Sequence, residues 1–448
     1  MTRRVRLSAL AALPAFAMKR IMKTRLFFAR AIALALVAGG LVASLPTEAM
    51  AANRTWTNAS SNPSGNRGKW GTTAQFATNW SGIANPTSAD TAVFAGNIGV
   101  SGTIAIQSAN VPVGKMTFGG TTQYNFTGNS VALFGDSSTP KVGISNDASG
   151  KTQTFAGVTV NSGTVHANST AGGALTLSSV NLQGNTFAVG GDATVGSLTG
   201  SAGSTYEAKS GSQNVAFADG NAVGTLKVSG ATVSSSGDRS RTFLDIQSGS
   251  HIGDGTFLRT SITGGTLDLS GAATLTLVAT TGASYSQGAS GVTKMDVGYN
   301  GSAATYSSVS IATGAGFSLG GGLLLDGAGM PSTPLAVGLI WDLFQGVNFT
   351  NGSASPLNTP SNFSSFVLAD SASGSPYAGT FTQFGQGWKS PLATDGTYLE
   401  FQAASGNLVV VASAVPEIDP AMGANALSLI AGVLAMIEQR RRRAALVA

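Results

Sequence analysis

The chain has 448 residues and no cysteine, and its formal net charge is +5. The positive charge lies at the two ends, because residues 53–414 contain 13 Lys or Arg against 16 Asp or Glu, so no nucleic acid partner is expected. The absence of cysteine excludes disulfides, a cysteine nucleophile and thiolate metal sites.

Residues 1–52 have the composition of a signal peptide. An unbroken apolar and small-residue run over residues 31–45 follows a basic region, which is the pattern that the Sec export machinery reads. The basic residues are Lys23, Arg25 and Arg30. Met22 opens a well-proportioned signal on its own and is an alternative start. An uncleaved transmembrane anchor is the alternative interpretation of the apolar run.

The end of this segment carries a cleavage site. Ala49 and Ala51 supply the small-x-small pattern that signal peptidase needs. Cleavage there predicts a mature, exported protein that begins near Asn53.

Residues 53–130 are predicted to form an N-terminal cap and the first strands of a β-repeat region. Aromatic and turn residues follow one another here: Trp56, Trp70, Gly71, Phe76, Asn79, Trp80, Pro86, Asp90, Ala92, Phe94, Phe118 and Gly119. This order resembles the N-terminal unit of bacterial autotransporter-associated β-strand repeat proteins. The resemblance implies that a Trp-rich start, a Pro-x-x-x-Asp-x-Ala-x-Phe strand and a Phe-Gly turn open a β-solenoid.

Residues 131–330 consist of short strand patterns separated by glycine turns. Leu267 and Leu269 alternate with polar residues, and the same pattern recurs in residues 274–278. This period of two is typical of strands. Glycine, at 60 positions in the chain, suits the tight corners between such strands.

The predicted fold class is all-β: a right-handed parallel β-solenoid (β-helix) with a C-terminal β cap and a C-terminal transmembrane sorting helix. The self-similar texture favours a solenoid, with Thr, Ser and Asn in ladders between rungs and Val, Leu and Ile inside. At roughly 22 residues per rung, about ten rungs at about 4.8 Å would make a rod roughly 50 Å long. An array of β-sandwiches is the alternative, because its strands and turns have similar spacing.

Residues 331–414 contain more proline and more large aromatic residues than the preceding region. Large side chains at the end of a solenoid can close its open core, so we predict a C-terminal β cap or small β-subdomain. The alternative is a carbohydrate platform built on exposed Trp341 or Trp388.

Residues 415–448 combine three features of a sorting signal. A polar Pro-Glu box comes first and consists of Val415, Pro416, Glu417, Ile418, Asp419 and Pro420. The apolar residues 421–437 follow, and a basic cluster then consists of Arg440, Arg441, Arg442 and Arg443. As a helix the apolar run would be about 26 Å long against a bilayer core of about 30 Å, and the arginines would keep the C-terminus in the cytoplasm.

This tripartite order resembles the PEP-CTERM signal of bacterial exopolysaccharide-associated surface proteins, in its Pro-Glu-Ile-Asp-Pro variant. The resemblance implies that an exosortase-like transpeptidase recognises the segment and cleaves near the box, after transient anchoring in the membrane. Ile418 stands where the usual Val-Pro-Glu-Pro has its second proline. A tail anchor that is never cleaved is the alternative.

No catalytic site, metal site or cofactor is predicted. His166 and His251 each stand alone among polar residues and are interpreted as surface or ladder residues. Arg239, Arg241 and Asp245 are interpreted as a solvated loop. Single aspartates at turns lack the repeated spacing of calcium loops; they are Asp192, Asp219 and Asp254.

The predicted function is that of an exported, non-enzymatic cell-surface or extracellular-matrix protein with a structural or adhesive role linked to exopolysaccharide. A β-helix polysaccharide lyase or glycoside hydrolase is the alternative. Such an enzyme would need paired carboxylates, or a Lys or Arg base beside a calcium cluster, on one lateral face.

Overall fold

The computed structural model divides the chain into two units, Met1–Ala52 and Asn53–Ala448. It describes residues 52–56, 69–72, 79–80, 85–95, 102–170, 172–218, 224–271, 273–278, 284–312, 315–346, 363–369, 374–385, 387–413 and 420–445. The predicted signal peptide, with Ala49 and Ala51, lies outside these ranges. The fold described below is that of the second unit.

The described residues contain 38 strands and one helix. The first nineteen strands are β1 (Asn53–Thr55), β2 (Lys69–Trp70), β3 (Thr91–Ala95), β4 (Thr103–Ile106), β5 (Val111–Val113), β6 (Lys115–Gly119), β7 (Asn125–Gly128), β8 (Val131–Leu133), β9 (Val142–Asn146), β10 (Thr152–Phe155), β11 (Val158–Val160), β12 (Thr164–Ser169), β13 (Ala174–Leu177), β14 (Val180–Asn181), β15 (Thr186–Gly190), β16 (Asp192–Thr199), β17 (Thr205–Ala208), β18 (Ser212–Phe217) and β19 (Thr225–Gly237).

The remaining elements follow in chain order. They are β20 (Phe243–Ile252), β21 (Gly255–Phe257), β22 (Arg259–Ile262), β23 (Thr266–Leu269), β24 (Thr274–Leu277), β25 (Ser284–Gln287), β26 (Val292–Tyr299), β27 (Ala304–Tyr306), β28 (Ser308–Ile311), β29 (Gly316–Ser318), β30 (Gly322–Gly329), β31 (Ile340–Asp342), β32 (Phe344–Gln345), β33 (Ser365–Ala369), β34 (Gly379–Thr380), β35 (Thr382–Phe384), β36 (Gly387–Lys389), β37 (Thr397–Gln402), β38 (Asn407–Ala412) and the helix α1 (Pro420–Ala445).

Parallel pairing places most strands in three stacks that the chain visits in turn. Stack 1 consists of β1, β3, β6, β9, β12, β15, β17, the first part of β19, the first part of β20, β22, β25 and β29. Stack 2 consists of β2, β4, β7, β10, β13, β16, β18, the middle of β19, the end of β20, β23, β26, β30 and β33. Stack 3 has two pieces: β5, β8, β11, β14 and the ends of β16, β18 and β19, then β21, β24, β28 and β32.

The described part of the chain is therefore mostly β and contains a large parallel sheet, as an all-β solenoid requires. Successive partners along stack 1 lie 16 residues apart at Ile246 and Ile262, and 38 apart at Asn53 and Thr91. This parallel pairing is compatible with a β-solenoid. It differs from the antiparallel pairing of β-sandwiches, the alternative that sequence spacing left open.

Alternating side chains fill the interior between the stacks. Leu267 and Leu269 are fully buried, as their alternation with polar residues predicts. Aromatic partners in adjacent strands stack on each other: the ring centroids of Phe94 and Phe118 are 5.1 Å apart, and those of Phe126 and Phe155 are 4.8 Å apart. In-register parallel pairing brings together the first pair in stack 1 and the second in stack 2, and so extends aromatic ladders along the core.

Tryptophans occupy the N-terminal end of the core. Trp56, Trp70 and Trp80 are almost wholly buried, and the Trp80 ring lies 5.0 Å from that of Trp56 and 5.1 Å from that of Trp70. Phe94 packs against all three indoles. Large apolar area at this end keeps water from the first coils.

Buried polar side chains recur at one inward register position of stack 2. Equivalent partners at this position include Gln153, Gln213, His251 and Thr293. The Gln213 amide donates to three backbone carbonyls near a corner, those of Val189, Gly191 and Ser210, at 2.9, 3.2 and 3.0 Å. Such bonds give buried carbonyl oxygens near the corner a side-chain donor, although the Val189 carbonyl also accepts the Lys209 backbone N–H.

A five-stranded antiparallel sheet of β31, β38, β37, β36 and β35 lies within residues 331–414. Trp341 is fully buried and its indole N–H donates to the Gly298 carbonyl at 2.8 Å, which ties this sheet to β26. Trp388 is 7% exposed. Neither indole is therefore the exposed carbohydrate platform considered as the alternative, and the aromatic side chains pack inside instead.

The helix α1 begins at Pro420, a residue that suits the first helical position because its missing N–H has no intrahelical partner there. Of the helices in the described ranges, none is both long and apolar enough to cross a membrane.

Candidate functional site

The C-terminal helix differs from the β body in the exposure of its apolar side chains. The large exposed ones in α1 are Leu429, Ile430, Val433, Leu434, Met436 and Ile437, between 45% and 72% exposed. In the strands, by contrast, residues of the same types form the interior. A helix with so much uncovered apolar area has a strong tendency to associate with a lipid or protein surface.

The predicted arginine cluster lies on the same helix. Arg440, Arg441, Arg442 and Arg443 occupy its last turns and are exposed. Arg442 pairs with Glu438 one turn earlier, at 3.2 Å between Nε and Oε1. Cations near the C-terminus of a helix interact favourably with its dipole, so the cluster also stabilises the helix end.

The Pro-Glu box is described only at its last residue. Val415, Pro416, Glu417, Ile418 and Asp419 lie outside the described residues, and Pro420 is the first residue of α1. The structure therefore places the arginines on the helix that follows the box, and tests neither the box nor the signal peptidase site.

Of the two interpretations of the histidines, surface or ladder residues, the surface one is wrong, whereas both histidines do lie in strand-to-strand ladders. His166 is 8% exposed and His251 is fully buried at the polar inward position of stack 2. The solvated-loop interpretation is wrong for Arg239 as well, which is 7% exposed, whereas Arg241 is exposed as expected. Asp245 accepts a bond from Gln247 at 2.8 Å.

Arg239 and His251 meet through one hydroxyl group. Arg239 Nη1 donates to Ser235 Oγ at 2.9 Å and to the Ser235 carbonyl, and Ser235 Oγ lies 2.8 Å from His251 Nε2. The guanidinium also lies over the Phe257 ring, 5.2 Å from its centroid, and the His251 ring meets that phenylalanine edge-on at 5.6 Å. Val233 and His251 are register partners, so strand pairing is what brings these side chains together.

The histidine in this cluster is uncharged at neutral pH. Burial, and after it the nearby Arg239 charge, together lower the pKa of His251 to about 3. A neutral Nε2 that faces the serine accepts its hydroxyl proton, and no described residue bonds to Nδ1. The Ser235–His251 pair therefore lacks the third group that orients the base in a catalytic triad.

A second charged cluster lies on the outward side of stack 2. Lys294 Nζ is 3.5 Å from Asp268 Oδ2 and 3.9 Å from Asp326 Oδ2, and Asp296 is the register partner of Asp326. Each aspartate also accepts a backbone N–H bond at a turn, from Ser270, Gly271 or Ala328. The cluster borders a surface pocket of about 430 Å³ that also includes Tyr306.

Sequence reasoning missed both clusters. Arg239 and His251 are separated by a turn and a strand, and the four residues of the Lys294 cluster come from three strands. The signal that could have found them is the repeat register: once strands are stacked, Asp268 falls opposite Lys294 and Asp296 opposite Asp326.

Comparisons with protein-family models, with curated proteins and with solved structures give no match to this chain.

Proposed function

We propose that this chain is an exported, non-enzymatic bacterial protein of the cell surface or extracellular matrix, with a structural or adhesive role linked to exopolysaccharide. Residues 1–52 direct export through the Sec machinery and are removed by signal peptidase. Residues 415–448 form a PEP-CTERM-like sorting signal, which an exosortase-like transpeptidase recognises and cuts near Pro416 and Glu417.

The helix α1 is the observation that carries this proposal. Its exposed apolar side chains lie immediately before four exposed arginines, and this order matches a segment that is read at a membrane and held there by its basic end. A helix that contributed to the core would bury these residues. The transient membrane association is part of the proposal.

The body would then be the part displayed outside the cell, as a right-handed β-solenoid. In stacked coils each coil contacts only its neighbours, so length can be gained coil by coil without a larger core. Cysteine is absent and the ion pairs among the described residues are few and mostly single, so the apolar interior supplies most of the stability. A long rigid body of this kind suits a structural or adhesive role.

Mass spectrometry of both termini of the protein recovered outside the cell tests the sorting step. We expect an N-terminus near Asn53 and a C-terminus near the Pro416–Glu417 box. Recovery of extracellular protein that ends in Ala448 would refute processing of the C-terminal signal.

Replacing Arg440, Arg441, Arg442 and Arg443 by glutamine tests the role of the arginine charge. We expect poor C-terminal processing or mislocalisation, with an unchanged circular dichroism spectrum of the β body. The matched control replaces the same four residues by lysine, which keeps the charge and should keep the sorting. Normal sorting of the glutamine variant would mean that the arginines are incidental.

The pairing of Asp296 with Asp326 favours one alternative, a β-helix polysaccharide lyase or glycoside hydrolase. Adjacent parallel strands place two carboxylates on one lateral face, which such enzymes need. The test is the release of new reducing ends or unsaturated products from acidic and neutral polysaccharides. Turnover that is lost in Asp296→Asn would replace the non-enzymatic proposal.

A further inference from the structure

Stack 3 is interrupted beside the Arg239 cluster. Its first piece ends where Gly237 pairs with Phe217, and its second piece begins where Gly255 pairs with Leu275. A surface pocket of about 490 Å³ lies at this interruption. Its volume is within the range of about 300–1,000 Å³ that is typical of small-molecule sites.

Arg239 lines this pocket with unused hydrogen-bonding capacity. Arg239 is only 7% exposed. Of its nitrogen atoms, only Nη1 donates a hydrogen bond to a described residue. Its Nε is buried without a partner and is closed to solvent, so Nη2, which bonds to no described residue, is the donor left for a ligand. Burying a guanidinium without an ion pair is costly, so its position on a pocket wall calls for an external acceptor.

A carboxylate, that of Asp254, lines the same pocket. Asp254 is exposed, and among the described residues it makes neither a hydrogen bond nor an ion pair. Its charge is close enough to oppose the effect of burial on the Arg239 pKa, which burial lowers. The pocket therefore offers an unused donor and an unused acceptor that do not bond to each other.

Backbone geometry keeps the guanidinium in this place. A Cβ atom at Gly255 would lie 2.7 Å from Arg239 Cζ and 2.8 Å from a ring carbon of Phe257. Any larger residue there would push the side chain away from the pocket wall. Glycine at this position thus leaves room for the arginine between strand and solvent.

The remaining lining restricts the chemistry of the ligand. The walls carry one guanidinium, the carboxylates of Asp238 and Asp254, and hydroxyl groups that include those of Thr256, Thr274 and Thr276. An inorganic anion could accept from the arginine, but two carboxylates would repel it. A sugar hydroxyl both accepts and donates, so a polyol can bond to the arginine and to the carboxylates together.

We propose that this pocket binds a neutral sugar residue of a polysaccharide chain. The choice of polymer rests on the adhesive role proposed above, whereas the choice of an uncharged polyol rests on the pocket itself. Arg239 donates to a ring substituent, Asp254 accepts from a neighbouring hydroxyl, and the threonine hydroxyls contact the same face of the sugar.

Titration of the full chain with short oligosaccharides of glucose, galactose and mannose tests this by calorimetry, with oligogalacturonate and inorganic phosphate as anionic probes. We expect at least one neutral oligosaccharide to bind. Asp254→Ala should weaken that binding about tenfold or more, because hydrogen bonds to charged groups are the strong ones. Thr276→Val and Arg239→Lys should also weaken it.

The matched control is Asp245→Ala, which removes the same charge from the same coil at a position outside the pocket and should bind like the wild type. Asp254 is exposed, so its loss should lower the thermal unfolding midpoint only slightly, through the lost attraction to Arg239. Binding of only oligogalacturonate or phosphate would overturn the proposal, as would no binding at all. Equal affinities of Asp254→Ala and Asp245→Ala would overturn it too.

The sugar-binding proposal and the sorting proposal can fail independently of each other. The glutamine variant of the arginine cluster changes location and leaves oligosaccharide affinity intact, whereas Asp254→Ala changes affinity and leaves both processed termini intact. Failure of one result therefore does not imply failure of the other.

Discussion

Two regions of the interior between the parallel strand stacks differ in what they bury. The coils around Phe126 hold an aromatic ladder with ring separations of 4.8–6.3 Å and near-complete burial. The coils around His251 bury an imidazole and a guanidinium that share one serine hydroxyl. Identical strand pairing thus supports both an apolar interior and a polar one.

This difference shows that strand register determines which residues are neighbours, but not whether those neighbours are apolar or polar. A position that is apolar in one coil, such as Val233, has a polar partner, His251, one coil later. The polar coils keep donors and acceptors that the fold itself leaves unsatisfied, and these lie next to the interruption in stack 3.

The largest effect on stability is expected from removing one ring of the aromatic ladder. Phe126→Ala removes a ring that contacts Trp70, Phe94, Phe118 and Phe155, and should lower the free energy of unfolding by about 3–5 kcal/mol. Urea unfolding followed by circular dichroism measures this. The matched control is Phe384→Ala, because Phe384 is 62% exposed and should cost less than about 1 kcal/mol. Equal losses would mean that the ladder does not organise the core.

A smaller, pH-dependent effect is expected from His251. Its folded pKa of about 3 lies below the ordinary 6.5, so between these values the unfolded chain binds the proton more strongly. The free energy of unfolding contributed by this group is therefore full above pH 6.5 and falls as the pH drops towards 3.

His251→Leu isolates this contribution from other titrating groups. Leucine matches the register neighbour Leu267, and the variant should show a flatter loss of stability between pH 6.5 and 3 than the wild type. Unfolding midpoints measured across this range test the difference. Parallel pH profiles would show that His251 is already protonated or exposed in the folded protein.

Local pattern was sufficient to predict strand content and the buried face. The alternation at Leu267 and Leu269 identifies the inward residues without knowledge of their partners, because side chains alternate across any strand. The same alternation occurs in sandwiches, so parallel pairing could not be derived from it. Pairing depends on contacts between residues a full coil apart.

The buried polar cluster could not be predicted for the same reason. His251 has polar neighbours in sequence, which suggests exposure, yet its partner Val233 and its bonded Ser235 lie in the previous coil. Arg239 lies between the end of β19 and a turn, where a solvated side chain is expected, yet it packs over the Phe257 ring. Whether these side chains are buried depends on contacts with residues far away in the sequence, and a short window of sequence does not contain those residues.

The smallest effect on stability is expected from the charged side chains on the outward side of stack 2. They are the outward-facing counterpart of the buried Arg239 charge. Lys294 is 27% exposed and pairs with Asp268 and Asp326, so solvent screens both contacts. Lys294→Met should lower the free energy of unfolding by no more than about 1 kcal/mol, and the difference from the wild type should shrink as salt is added. Lys141→Met is the control, because Lys141 is exposed and its ammonium donates, among the described residues, only to the Ser162 hydroxyl. A loss for Lys294→Met of several kcal/mol that salt does not reduce would show that this ladder is desolvated like the Arg239 cluster, and the contrast between outward and inward charge would not hold.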